Sequence, residues 1–77
     1  MNITDFKRGD VIIPSNFGVD QFVVKETTSG YVYPKMMYYV HLEDIGITYS
    51  TDDPNIMPTG IKEVYRDGEK IWESLQL

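Results

Sequence analysis

The chain has 77 residues, twelve acids against seven bases, a formal net charge of −5, one histidine and no cysteine. That inventory cannot build a disulfide framework, a thiolate zinc site or a multi-histidine metal site, and no cofactor is expected. Residues 1–77 suit one domain, and a domain this small buries only ~60% of the surface its unfolded form exposes.

No stretch approaches the ~20 apolar residues that span a membrane. The start, Met-Asn-Ile-Thr-Asp-Phe-Lys-Arg, lacks the basic lead and apolar run of a secretory signal. A soluble cytoplasmic protein without membrane contact is therefore expected. Charge is unevenly spread. Four acids (Asp5, Asp10, Asp20, Glu26) balance four bases (Lys7, Arg8, Lys25, Lys35) up to Tyr38, and eight acids then face three bases. A broad basic footprint for a phosphate backbone is absent from that pattern.

In chain order, Asn2 or Thr4 can cap a single helical turn before Gly9 interrupts. Lys7-Arg8-Gly9-Asp10 reads as a turn into a first strand, Asp10–Pro14. It spells Arg-Gly-Asp, an integrin ligand in extracellular proteins, but three letters recur by chance. A loop turning at Ser15-Asn16 and Gly18 leads to a second strand, Gln21–Glu26. The apolar runs Val11-Ile12-Ile13 and Phe22-Val23-Val24 are short, β-branched or aromatic, and bounded by Pro, Asn and Gly, which favours strand over helix. Thr27-Thr28-Ser29-Gly30 reads as a polar turn with positive φ at Gly30. Tyr31-Val32-Tyr33 resumes extended structure, and Pro34 marks an edge, bulge or strand end.

Lys35–Leu42 alternates so that Met36, Tyr38, Val40 and Leu42 face the core, with Lys35, Met37, Tyr39 and His41 opposite. Glu43-Asp44-Ile45-Gly46 suggests a tight turn or one turn of 3₁₀ helix before Ile47-Thr48-Tyr49. Residues 50–60, polar and broken by prolines, read as the most mobile loop. Residues 61–74 carry the clearest local signal, Asp67-Gly68 between two β-prone runs, which predicts a hairpin with a two-residue turn. That register sets Arg66 opposite Glu69, Val64 opposite Ile71 and Lys62 opposite Glu73. The expected fold is all-β and mainly antiparallel: a small barrel or curled sheet ending in a hairpin.

Gly9-Asp10-Val11-Ile12, Gly18, Phe22-Val23-Val24 and Val40-His41-Leu42-Glu43-Asp44-Ile45 together resemble the order of motifs in small SH3-like barrels of the KOW-like kind, over residues 6–45. The resemblance implies a barrel-like core there. It implies neither proline-rich-peptide binding nor RNA binding, because the acidic-aromatic signature of the one and the basic glycine-rich loop of the other are missing. The run Val64–Glu73 resembles hairpins found near the ends of bacteriophage proteins, which implies a phage or prophage origin.

For chemistry, His41 with Glu43 and Asp44 is the one acid–base candidate. It has no nucleophile beside it, and a surface histidine on a strand fits as well. Asp52-Asp53-Pro54-Asn55 lacks the spacing of a calcium loop and reads as a capped turn. The aromatic set says more. A domain this size cannot bury Tyr31, Tyr33, Tyr38, Tyr39, Tyr49, Tyr65 and Trp72 together with Met36 and Met37. Tyr, Trp and Met are also residue types favoured at binding surfaces. A non-catalytic protein-binding module is expected, with Tyr33, Met37, Tyr39 and Trp72 as its contact residues and a host protein as partner if the origin is phage. The alternatives are a nucleic-acid-binding barrel and a virion or assembly component. The first would use Lys7, Arg8, Lys25 and Lys35 on phosphates and Tyr31, Tyr33 and Tyr39 for stacking. The second would add a strand at its hairpin edge, and monomer or homo-oligomer is open.

Overall fold

A computed structural model describes residues 1–15, 20–43 and 46–75. The fold is all-β: one antiparallel sheet of six strands, β1 (Val11–Pro14), β2 (Phe22–Val32), β3 (Lys35–Leu42), β4 (Thr48–Thr51), β5 (Ile61–Arg66) and β6 (Glu69–Glu73). Their order is β4-β3-β2-β1-β5-β6, so the curled sheet stays unclosed, with β4 and β6 at its edges. Among the described residues no helix is long and apolar enough to cross a membrane.

The core forms where the two densest apolar runs cross β3 and β5. Ile12, Val24, Val40 and Val64 are fully enclosed, and Ile3, Phe6, Leu42 and Ile61 nearly so. Ile3 comes from a single 3₁₀ turn, Ile3–Asp5, capped by Asn2. The Asn2 Oδ1 accepts from the Thr4 N–H at 3.1 Å, and the Asn2 N–H donates to the Asp5 carboxylate at 2.8 Å. These two bonds satisfy donors that a lone turn leaves open.

The expected turn at Thr27–Gly30 is not there. β2 runs through it to Val32, and Gly30 has no positive φ; among the described residues that conformation belongs to Gly9, Gly60, Asp67 and Gly68. The chain reverses instead at Tyr33-Pro34, joined by a cis peptide bond, with Val32 opposite Lys35. Cross-strand fit explains the difference. Thr27, Thr28, Ser29 and Gly30 stand opposite Val40, Tyr39, Tyr38 and Met37, so small side chains on one strand accommodate large ones on the other.

β3 spans the expected residues, and its core face carries Val40 and Leu42 buried and Tyr38 half-buried. Met36 shares that face yet is 48% exposed, because the hairpin arm β2–β3 outruns the core there. A bulge at Lys25 marks the departure: β1 pairs with β2 only at Phe22 and Val23, and beyond the bulge β2 has β3 alone.

The last hairpin turns at Asp67-Gly68, with φ of 54° and 80°. Arg66 opposes Glu69 as expected, but the register then shifts by one: Val64 opposes Trp72, and Glu63 rather than Lys62 opposes Glu73. The extra residue is Ile71. The bulge turns the Trp72 ring onto the core beside Val64 and leaves Ile71 outside.

The 50–60 segment is also held more firmly than its composition suggests. Ser50 and Thr51 belong to β4, Pro58 is buried, Met57 packs on the core, and the Ile56 carbonyl accepts from the Ile3 N–H at 2.9 Å. The expected loop turns at Asn16 and Gly18, and the expected tight turn at Asp44 and Ile45, lie outside the described residues.

Candidate binding surface

Among the described residues, the hairpin arm carries the largest group of exposed apolar side chains. Tyr31 is 61% exposed, Val32 54%, Tyr33 87% and Met36 48%. Tyr31 and Tyr33 meet edge to face, with ring centroids 6.4 Å apart. Tyr31 and Met36 are cross-strand partners on the core face, but the core ends before reaching them. Met37 and Tyr39 lie half-buried on the opposite face of β3, where the Tyr39 ring sits 6.0 Å from that of His41.

Of the four residues expected to form the protein contact, Tyr33 stands fully out, while Met37 and Tyr39 share a face behind it. Trp72 does not join them. It lies on the edge strand β6, half-buried against the core, in a shallow groove with Met57, Pro58 and Ile61. Trp72, Met37 and Tyr39 are all half-buried, but Trp72 stands on a different strand from the arm. Sequence reasoning passed over Val32 and Met36 as surface residues. Their exposure follows from where β1 stops pairing, which no local pattern carries.

The basic residues divide into two groups. The Gly9 N–H donates to the Val24 carbonyl at 2.9 Å, which brings Lys7, Arg8 and Lys25 to one end of the sheet. Glu43 joins them, its N–H donating to the Val23 carbonyl and its carboxylate lying 3.9 Å from Arg8. Lys35 is at the other end of β3, seven residues from Leu42, which is about 23 Å at ~3.3 Å per residue. There its ammonium donates to the Asp52 carboxylate at 2.8 Å. That bond raises the Lys35 pKa and lowers that of Asp52. The four bases therefore do not form one patch. The three tyrosines named for stacking are not coplanar either: Tyr31 and Tyr39 occupy opposite faces, and the Tyr31 and Tyr33 planes are 89° apart.

The acid–base candidate is differently arranged as well. His41 is bracketed by hydroxyls, Thr28 Oγ1 at 2.7 Å from Nε2 and Thr48 Oγ1 at 3.5 Å from Nδ1, while Glu43 turns to Arg8. Asp44 lies outside the described residues. Asp53 caps a turn, its carboxylate accepting from the Asn55 N–H at 2.8 Å. Among the described residues no three His, Asp or Glu side chains are grouped to hold a metal ion.

Among the described residues the buried charge is Asp10, which is 1% exposed. Both of its oxygens receive the Arg66 guanidinium, Nε on Oδ1 and Nη2 on Oδ2, each at 2.8 Å. The Lys7 N–H adds a third bond to Oδ2 at 2.8 Å. Burial pushes the Asp10 carboxyl upward, but the hydrogen bonds from Arg66 and Lys7 and the charge of Arg66 outweigh it and hold the pKa below its ordinary value. The Asp10 of Arg-Gly-Asp is thus enclosed and committed to the fold.

No family model matches the chain, and neither does any curated protein or solved structure.

Proposed function

We propose that this protein is a non-catalytic binding module that docks on another protein through the end of its β2–β3 arm. One observation carries the reading: Tyr31, Val32, Tyr33 and Met36 stay exposed together within six residues of chain. Scattered exposed apolar residues are ordinary on a protein surface, but a cluster of aromatic and thioether side chains on a projecting arm supplies what hot spots use. Tyr33 is the anchor at the tip, with Val32, Met37 and Tyr39 continuing the contact along one face of the arm and Tyr31 and Met36 along the other. The resemblance of Val64–Glu73 to phage hairpins supports a phage or prophage factor whose partner is a host protein.

Affinity capture from bacterial lysate tests the reading. A protein should be retained by the wild type and lost with Tyr33→Ala/Tyr39→Ala, while Lys7→Ala/Arg8→Ala and nuclease treatment leave it in place. Retention that survives the tyrosine changes but disappears on removing the bases, or falls steeply with salt, transfers the function to nucleic-acid binding.

A further inference from the structure

We propose that two copies of this chain associate through the free edge of β2, antiparallel about Ser29, with Tyr31 of each copy entering the groove beside Thr27 of the other. The starting observation is the bulge at Lys25. Before it, Val24 turns its backbone toward β1, donating to the Asp10 carbonyl at 2.8 Å and accepting from the Gly9 N–H at 2.9 Å. After the extra residue the parity reverses, so Glu26, Thr28, Gly30 and Val32 direct their backbone groups at β3. The two-residue turn after Val32 requires the same parity, because residues flanking such a turn exchange hydrogen bonds. Thr27, Ser29 and Tyr31 then point their N–H and C=O groups off the sheet, and no described backbone group bonds to them there. That is a three-residue edge ready for strand addition.

The edge is complementary to itself. An antiparallel two-fold at Ser29 sets Ser29 opposite Ser29 and Thr27 opposite Tyr31, each pair able to exchange two backbone hydrogen bonds. Flanking positions place Thr28 opposite Gly30 and Glu26 opposite Val32, so no like charges face each other. Side chains fit as well as backbones. Beside Thr27, the 3₁₀ turn leaves a groove of about 190 Å³ lined by Ile3, Thr4, Tyr38, Tyr39 and the 27–29 stretch of the edge itself. Ligand pockets usually measure ~300 Å³ or more, so this one suits a single large side chain better than a cofactor. In this register Tyr31 of the second copy stands opposite Thr27 on the core face, beside that groove. The same tyrosine is 61% exposed in the single chain. The contact takes up Tyr31, which belongs to the exposed cluster of the proposed partner interaction, and leaves the anchor of that interaction, Tyr33, outside it.

Sedimentation equilibrium over a rising concentration series tests the proposal. The wild type should pass from monomer to dimer. Ser29→Lys and Ser29→Glu should each stay monomeric, since each sets a like-charge pair on the two-fold, and an equimolar mixture of the two should recover a dimer. Tyr31→Ala should weaken the dimer about tenfold or more, whereas Tyr33→Ala should leave it unchanged. Ser29 is exposed, so unaltered denaturation midpoints will show that these variants fold. A wild type that remains monomeric at millimolar concentration overturns the proposal, including the case where the edge instead takes a foreign peptide. Charged variants that dimerise alone, or a mixture that does not pair, also overturn it.

Discussion

Arg66 grips Asp10 from 56 positions away with two parallel bonds of 2.8 Å, and a third bond from the same guanidinium reaches the Asp5 carbonyl at 3.0 Å. One side chain thereby joins the end of β5 to the start of β1 and to the 3₁₀ turn. Three donors satisfy the buried carboxylate, and the fork geometry is one that lysine cannot reproduce.

Removing one partner of such a pair leaves the other uncompensated. Arg66→Ala should destabilise the fold by roughly 3 kcal/mol, since Asp10 would remain enclosed without its counter-charge. Asp10→Ala should cost less, because Arg66 is partly exposed and can turn to water. The double variant should lose less than the sum of the two. Urea denaturation of the three variants measures this, and additive losses would contradict the coupling.

The same pair fixes a pH dependence. The Asp10 pKa is lower in the folded chain than in the unfolded one, so its stabilisation is fully present above the unfolded value, ~3.9. It is lost as pH falls through the lowered folded value. The stability gap between the wild type and Asp10→Asn should therefore be constant near neutrality and shrink below about pH 4. Denaturation midpoints of both proteins between neutrality and strong acid check the sign. A gap that widens on acidification would be the wrong one.

At the hairpin tip, Asp67 and Gly68 both have positive φ, the signature of a type I′ turn. A Cβ built at Gly68 meets nothing within 4 Å, so the cost of a side chain there is conformational and not steric. Gly68→Val should destabilise by about 1 kcal/mol or more, and Gly68→Asn by less, because asparagine tolerates this region. Equal melting temperatures for the two variants would argue against the turn's backbone as the cause.

The sequence was most readable where the signal is local. The apolar runs of β1 and of the start of β2, the alternation of β3 and the Asp67-Gly68 turn announce themselves within a few residues. Thr27–Gly30 did not, because its composition suits a turn and only its fit against Met37–Val40 makes it strand. The register of β6 depends on Ile71 being expelled so that Trp72 reaches the core, which is a packing outcome rather than a pattern. For the surface, Tyr33 could be named because a domain this small cannot bury all of its aromatic residues. Exposure of Met36 could not, since its alternation with Tyr38 and Val40 points it inward and only the shortness of β1 leaves it uncovered. The Asp10–Arg66 contact lay beyond any local window.

Trp72 separates a structural role from a binding one. Its ring packs against the core next to Val64, so Trp72→Ala should cost the fold about 2–3 kcal/mol, at or below the range for fully buried aromatics. Partner binding, measured where the variant remains folded, should be retained. A variant of normal stability that loses its partner would return Trp72 to the binding surface.

Tyr33 should behave in the opposite way. At 87% exposure its ring contributes little to the packed core, and Tyr33→Ala should change the unfolding free energy by no more than about 0.5 kcal/mol. Once a partner is in hand, the same substitution should weaken the complex by on the order of 2 kcal/mol, the scale of an aromatic anchor at the centre of an interface. The salt dependence of the complex should be shallow, because Lys35 is already paired with Asp52 and Lys7, Arg8 and Lys25 sit at the far end of β3 from it. Calorimetry at two ionic strengths, on wild type and variant, reads both quantities. A complex indifferent to Tyr33 would remove the arm from the interface, and a steep salt slope would move the contact to Lys7, Arg8 and Lys25.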